Sequence, residues 1–292
     1  MRFGLVGTGP WAALAHGPGL RTAEGVELVG VWGRNPDKAR SLADTLAVAA
    51  YGDYEALLAD VDAVAFSVPP DVQAPMALKA AAAGKHLLLD KPVALTAPAA
   101  RELADAASDV ASVVFFTDRF APETRSWQAT VGETGGWRGG WVRMLASLDA
   151  PGNPFGNSPW RRQHGALWDI GPHALSTLTA TLGTITGLTA VAGADDLVHL
   201  IVSHESGATS TATLSLLAPE LGSSFETAVW GESGTTYAPP RTTPAAESLA
   251  IAATELVAAA ESGEPHPAGL VLGARVVELL AEAEAAVRGG PR

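Results

Sequence analysis

The sequence predicts two folds in succession. The first is a doubly wound parallel α/β sheet, and the second is an α+β domain with a mostly antiparallel open sheet. Up to about Phe116, short apolar runs alternate with helical stretches of about 10–15 residues, the pattern of βαβ units. Beyond Arg119, strand-like runs follow one another with few helices between them, as in a segregated sheet. The length of 292 residues allows one large or two medium domains at roughly 150 residues each. The reading places the boundary after residue 118, giving domains 1–118 and 119–292.

In the first half, the apolar runs Phe3–Val6, Val26–Trp32, Ala63–Val68, His86–Leu89 and Ser112–Phe116 read as strands. Helical stretches Pro36–Ala47, Val72–Ala83 and Ala97–Ala107 lie between them. Asn35-Pro36 supplies an N-cap followed by Pro at the first helical position, and Thr96 precedes another helical run. In the second half, a helix over Pro122–Val131 leads to a strand over Trp137–Ala146. A Pro/Gly/Asn-rich loop over Leu148–Gly165 follows, then one helix over Ala166–Leu182. Ala208–Leu217 alternates: Thr209, Thr211, Thr213 and Ser215 face one way, Ala212, Leu214 and Leu216 the other. Helices over Ala245–Glu261 and Ala268–Val287 close the chain, and the last is expected to pack back on the first domain.

Composition narrows the chemistry. There is no cysteine, which excludes disulfides, thiolate metal sites and a cysteine nucleophile. Nineteen Lys and Arg stand against 31 Asp and Glu, a net charge of −12 that repels phosphate backbones and argues against nucleic acid. No apolar run approaches the roughly 20 residues of a membrane span. With a strand-like segment at the very start and no signal peptide ahead of it, a cytoplasmic protein without membrane partners is the expectation.

Gly7-Thr8-Gly9-Pro10-Trp11-Ala12 fits G-x-G-x-x-A. The first glycine permits a tight turn, the second lets backbone approach a pyrophosphate, and the third small residue lets helix and strand pack closely. The motif follows a strand, opens a helix and starts a βαβ series, the context of a Rossmann-type dinucleotide-binding domain; the plainer alternative is a Gly-rich turn with no ligand. The second strand ends Val31-Trp32-Gly33-Arg34-Asn35, with Gly where a ribose-binding carboxylate would stand and Arg beside it. Arg34 can pair with a 2′-phosphate, so NADP is expected over NAD, with NAD still possible. The alternative is that Arg34 stacks on adenine or lies in solvent. His86-Leu87-Leu88-Leu89-Asp90-Lys91-Pro92 places a lysine just past a parallel strand, where open α/β sheets bind ligands. Lys91 can hydrogen-bond a substrate oxygen; the plainer alternative is a surface lysine in a turn.

Gly165-Ala166-Leu167-Trp168-Asp169-Ile170-Gly171-Pro172-His173 is the other concentrated signal. On a continuous helix, Asp169 and His173 would share one face at i, i+4, although Pro172 must then sit in a first turn or kink the helix. A carboxylate beside His fixes its tautomer and raises its basicity, so the pair could take an alcohol proton. The alternative is a helix-start Asp with a satisfied, half-buried His. A metal held by His164, Asp169 and His173 is disfavoured without Cys or a second His-x-x-x-His, and none is expected. Arg161 and Arg162 either bind an acidic substrate group or lie solvated against aromatics such as Trp160.

Gly4–Gly9, Ser67-Val68-Pro69-Pro70, Gly84-Lys85-His86 and Asp90-Lys91-Pro92 together resemble the glucose–fructose oxidoreductase, inositol dehydrogenase and rhizopine-catabolism (Gfo/Idh/MocA) family. In that family the tripeptide is usually Glu-Lys-Pro, its lysine lies in the active site, and the Lys-Pro bond is often cis. Asp90 departs from it by one methylene, and Gln73 stands where many members carry His. Asp169 and His173 match the family's G-G-x-x-x-D-x-G-x-H signature. His164 replaces one of its glycines, and Ser176 replaces a following acid. Further matches are Asp118–Pro122, Trp160-Arg161 and Trp230–Thr235, so the resemblance runs along nearly the whole chain.

The resemblance implies an oxidoreductase, NADP-preferring on the reading of Arg34, that moves a hydride between nicotinamide and a secondary alcohol of a sugar, inositol or diol-like substrate. Lys91, Asp169 and His173 are its implied catalytic residues. Gly7, Thr8, Gly9, Pro10, Trp11, Ala12, Gly33, Arg34, Asn35, Ser67, Pro69, Pro70, Asp90 and Lys91 are its implied cofactor contacts. A homo-oligomer, dimer or tetramer, is implied as well. Two other classes stay open: a hydrolase or lyase that recycles a retained nicotinamide, and a cofactor-sensing regulator without turnover.

Overall fold

The computed structural model describes residues 1–289. The chain divides into two compact units, Met1–Phe120 with Thr243–Val277, and Ala121–Thr242 with the described residues from Glu278 to Gly289. The sequence reading cut the chain once, after residue 118; the structure returns residues 243–277 to the first unit.

The first unit holds β1 (Arg2–Val6), α1 (Gly17–Thr22), β2 (Glu27–Trp32), α2 (Pro36–Leu46), β3 (Ala49–Tyr51), α3 (Tyr54–Asp60), β4 (Ala63–Phe66), α4 (Pro70–Ala82), β5 (His86–Leu89), α5 (Ala97–Ala106) and β6 (Ser112–Val114). Its strands form one sheet in the order β3-β2-β1-β4-β5-β6, and every pair is parallel. Strand order reverses between β1 and β4, the place where open α/β sheets open a crevice beyond their carboxyl ends. Phe3, Leu5, Val64, Phe66, Leu87, Leu88 and Leu89 are fully buried, as expected of strands covered on both faces. The expected caps form: Asn35 Oδ1 accepts from the N–H groups of Asp37 and Lys38, and Thr96 Oγ1 from that of Ala99. The β3–α3 pair was not foreseen, because three exposed or half-exposed residues, Ala49–Tyr51, carry no period.

The second unit holds α6 (Pro122–Thr134), β7 (Trp137–Leu145), α7 (Pro159–Asp169), α8 (Gly171–Leu182), β8 (Ile185–Ala192), β9 (Val198–His204), β10 (Thr209–Ser215), β11 (Ser224–Gly231) and β12 (Gly234–Tyr237). The sheet order is β12-β11-β7-β10-β9-β8, antiparallel throughout except for the parallel central pair β7 and β10. Ala212, Leu214 and Leu216 are buried, as their alternation predicts, while Thr209 and Thr211 are exposed. Ser215 departs from that pattern: it is buried, and its hydroxyl donates to Asp196 at 2.7 Å. Helix α8 lies on the greasy face, where a Cβ on Gly140 would meet Leu182 at 3.3 Å.

Two expectations need correction here. The loop expected over Leu148–Gly165 gives way to α7 at Pro159, because Ser158 and Pro159 form an N-cap and first turn. The single helix expected over Ala166–Leu182 is two helices meeting at Ile170, where Gly171-Pro172 interrupts the run.

The last two helices are α9 (Ala245–Ser262) and α10 (Leu270–Gly289). Leu249, Ala252, Ala253 and Leu256 of α9 are fully buried, and at Gly19 a Cβ would stand 2.5 Å from the Ala246 carbonyl oxygen. The peptide before α10 extends β6, with Val114 N–H donating to Ala268 O at 2.7 Å. These contacts tie residues 243–277 to the first unit. No helix among the described residues is long and apolar enough to cross a membrane.

Candidate active site

In the first unit, each implied cofactor contact lies at or just past the carboxyl end of β1, β2, β4 or β5, along one edge of one parallel sheet. The Gly7 N–H donates to Trp32 O at 2.9 Å, and the Ser67 N–H donates to Val6 O at 2.8 Å, which closes the turn between three strands. Gly7 has φ +127°, and a Cβ there would stand 2.2 Å from the Ser67 carbonyl oxygen. Gly33 is closed by Thr8, whose methyl would lie 2.6 Å from an added Cβ. Gly9 is the opposite case: an added Cβ meets nothing within 4 Å, and the residue is exposed. Gly7 and Gly33 are thus packed against their neighbours while Gly9 presents open backbone, and Ala12 is fully buried. This open backbone fits a dinucleotide pyrophosphate.

Beyond the cradle the chain makes a π turn over Ala12–His16 before α1. His16 is fully buried, and among the described residues neither ring nitrogen has a hydrogen-bond partner within 3.5 Å. Burial lowers its pKa below the ordinary 6.5, against the opposing pull of the Asp90 carboxylate. The sequence reading missed this residue, which falls within a run of small residues that carries no chemical signature.

At the end of β2, Asn35 is occupied as the cap of α2. Arg34 is exposed, and its guanidinium makes no hydrogen bond or ion pair with the described residues. Pro69 and Pro70 start α4, with Pro70 buried and Pro69 exposed. Trp11 is half-buried, its ring stacked on Phe115 at 6.4 Å; Pro10 is exposed.

Lys91 follows β5 half-buried, and its peptide bond to Pro92 is cis. The Lys91 N–H donates to Asp90 Oδ1 at 2.8 Å. The Asp90 carboxylate thus caps the turn that carries the lysine.

In the second unit, Asp169 is the last residue of α7 and is 5% exposed. Its Oδ2 accepts from Arg161 Nε at 2.8 Å. The Arg161 guanidinium lies 4.5 Å over the Phe155 ring. A buried carboxylate without a counter-charge is costly, and Arg161 supplies that charge to Asp169, a role that neither reading of the arginine included. Arg162 instead clasps its own loop, pairing with Asp149 at 2.6 Å and donating to Gly156 O at 2.7 Å. His164 sits between Trp160, stacked at 5.5 Å, and Trp168, edge-on at 6.4 Å. Gly165 has φ +64°, inside the stretch counted as α7, and it lets the chain reverse so that Arg161 reaches Asp169 eight residues on. His173 is half-buried in the first turn of α8, directly after Pro172. Asp169 and His173 therefore do not share one continuous helix, as the i, i+4 spacing had suggested. Ser176 is fully buried on α8.

Residues 1–117 match the oxidoreductase family with the NAD-binding Rossmann fold, Gfo/Idh/MocA, and residues 132–237 match the Gfo/Idh/MocA C-terminal domain. The chain belongs to the Gfo/Idh/MocA family. A D-xylose 1-dehydrogenase (NADP⁺) of Haloferax volcanii is 30% identical to it over 236 residues, covering 75% of this chain and 71% of that one. An uncharacterized oxidoreductase, ORF334 of Rhizobium meliloti, is 39% identical over 98 residues, which span only 32% of this chain and 29% of that relative. The solved structure of a putative myo-inositol dehydrogenase from Sinorhizobium meliloti superimposes with a TM-score of 0.84 at 23% identity. That match covers 99% of this chain and 97% of that one, a likeness of fold. Both sheets of the Gfo/Idh/MocA architecture are thus present, with the parallel sheet carrying the glycine cradle.

Proposed function

We propose that this chain is an NADP-preferring dehydrogenase or reductase acting on a secondary alcohol of a sugar, inositol or diol-like substrate. The observation that carries the reading is the row of chemically able groups along one sheet edge. It runs from the open backbone at Gly9, through exposed Arg34, to the turn that presents Lys91. A bound nicotinamide dinucleotide supplies the hydride acceptor or donor. Arg34, with no acid beside it and no ion pair of its own, is suited to a 2′-phosphate, and the Haloferax relative carries NADP⁺ in its name.

Lys91 donates a hydrogen bond to the reacting oxygen and stabilises negative charge as it develops there. His173 takes the hydroxyl proton in oxidation and returns it in reduction. Asp169, neutralised by Arg161, supports the histidine's orientation. The relatives' names favour a polyhydroxylated substrate. The outward face of the second sheet exposes Val191, Ile201, Trp230 and Tyr237, an apolar surface suited to a second copy of the chain.

The test follows reduced nicotinamide absorbance across a panel of sugars and polyols. Reduced dinucleotide should accumulate with substrate, and Lys91→Ala and His173→Ala should each lower kcat/KM by about 10²–10⁴-fold. Dinucleotide affinity should stay near that of the parent in His173→Ala, which lies outside the cofactor contacts. Full turnover in both variants would refute the assigned roles. Product formed without net reduction would point to a recycling hydrolase or lyase, and no turnover at all to a sensor.

A further inference from the structure

Gln73 lies on α4 and is fully buried, yet every hydrogen bond given to its side chain goes to the backbone around Lys91. Its Nε2 donates to Asp90 O at 2.8 Å, and its Oε1 accepts from the Asp90 N–H at 2.8 Å. The same Nε2 lies 3.3 Å from Pro92 O and 3.4 Å from Val93 O. The amide therefore reads Asp90 in both directions, as a neighbouring strand would, and also touches the carbonyls just beyond Lys91. The end of β5 has no strand ladder left at Asp90, since its register with β4 stops at Leu88 and its register with β6 at Leu89. A buried backbone N–H and C=O must nevertheless find partners.

The arrangement also fixes which way the amide points. Rotating it by half a turn would set an NH₂ group against the Asp90 N–H and an oxygen against three carbonyls. Only a side chain with one donor end and one acceptor end at this length satisfies both. A carboxylate keeps the acceptor and loses the donor, and a thioether keeps neither.

We propose that Gln73 is a positioning residue: its amide clamps the turn Asp90–Val93 from α4 and so fixes where the Lys91 ammonium stands during turnover. This inference rests on the reading of Lys91 as the group that meets the reacting oxygen. Gln73 itself touches backbone alone in the contacts above and supplies no proton, so its effect falls on geometry. Misplacing a catalytic group by about 1 Å is enough to cost on the order of 100-fold in rate.

Gln73→Met removes both ends of the clamp at similar length, and Gln73→Glu keeps the shape and the acceptor. Both are compared with the parent and with Lys91→Ala. In the ligand-free protein, amide hydrogen exchange should rise at residues 90–93 in both Gln73 variants, while the strand interiors of β1 and β4 keep their protection. In turnover, kcat should fall about 10- to 100-fold, with substrate KM within about threefold of the parent. If Gln73→Met does not fold, Gln73→Glu decides at high pH, where its carboxyl is ionised and the donor is lost. Unchanged exchange at the turn, an unchanged kcat, or a loss confined to KM or to dinucleotide Kd would each overturn the clamp. An active Lys91→Ala variant would instead overturn the reading of Lys91, because the exchange result stands apart from it.

Discussion

Gly7 and Gly9 belong to one hexapeptide, yet the structure makes opposite demands of them. Replacing Gly7 with Ala places a Cβ 2.2 Å from the Ser67 carbonyl oxygen and 2.8 Å from its carbon, at φ +127°. A non-glycine residue at such a φ costs about 1–3 kcal/mol before any overlap is relieved. Relief requires β1 and β4 to part at their ends, so a total near 3 kcal/mol is expected. At about 2–4 °C per kcal/mol, the first unit should melt roughly 6–12 °C lower.

Gly9→Ala adds its methyl to open space, with nothing within 4 Å, so unfolding should shift by no more than about 0.5 kcal/mol. That methyl lies on the backbone we assign to the pyrophosphate, and losing one charge-assisted hydrogen bond there costs about 1.5–3 kcal/mol, or 10- to 150-fold in dinucleotide affinity. Thermal unfolding of both variants, paired with fluorescence titration of reduced NADP, separates the two effects. Parent-like dinucleotide affinity in Gly9→Ala would show that the cradle has been misassigned. A melting point for Gly9→Ala as low as that of Gly7→Ala would show that the space was misread.

Two further outcomes follow from the same structure. Arg34→Ala should weaken NADP about 10- to 100-fold and NAD less than about threefold, measured by parallel titrations; equal losses would remove Arg34 from the 2′-phosphate. His16, His86 and His204 each have a pKa below the ordinary 6.5, chiefly because burial disfavours the charged ring. Below about pH 6.5 the unfolded chain takes up protons that the fold refuses, so stability falls as the pH falls; above it, both states are neutral and the contribution is flat. Urea midpoints at pH 7.5 and 5.5 should therefore diverge in the parent and converge in part in His16→Gln, and a parent curve flat across that range would refute the argument.

What the amino-acid order determined by itself was local. The alternation at Ala208–Leu217, the caps at Asn35 and Thr96, and the glycine cradle after β1 all follow from backbone dihedrals and side-chain period over a few neighbours. Those features sufficed to read the parallel sheet and the mostly antiparallel one, while the family was read from the resemblance carried by the motifs at 4–9, 67–70, 84–86 and 90–92. The tertiary structure alone decided which distant groups meet. It returned residues 243–277 to the first unit and buried His16. It turned the chain at Gly165 so that Arg161 became the partner of Asp169, and it aimed the Gln73 amide at a turn 17 residues away. A buried charge or amide takes whichever partner the closed loops bring within reach, and that partner leaves no periodic trace in the chain.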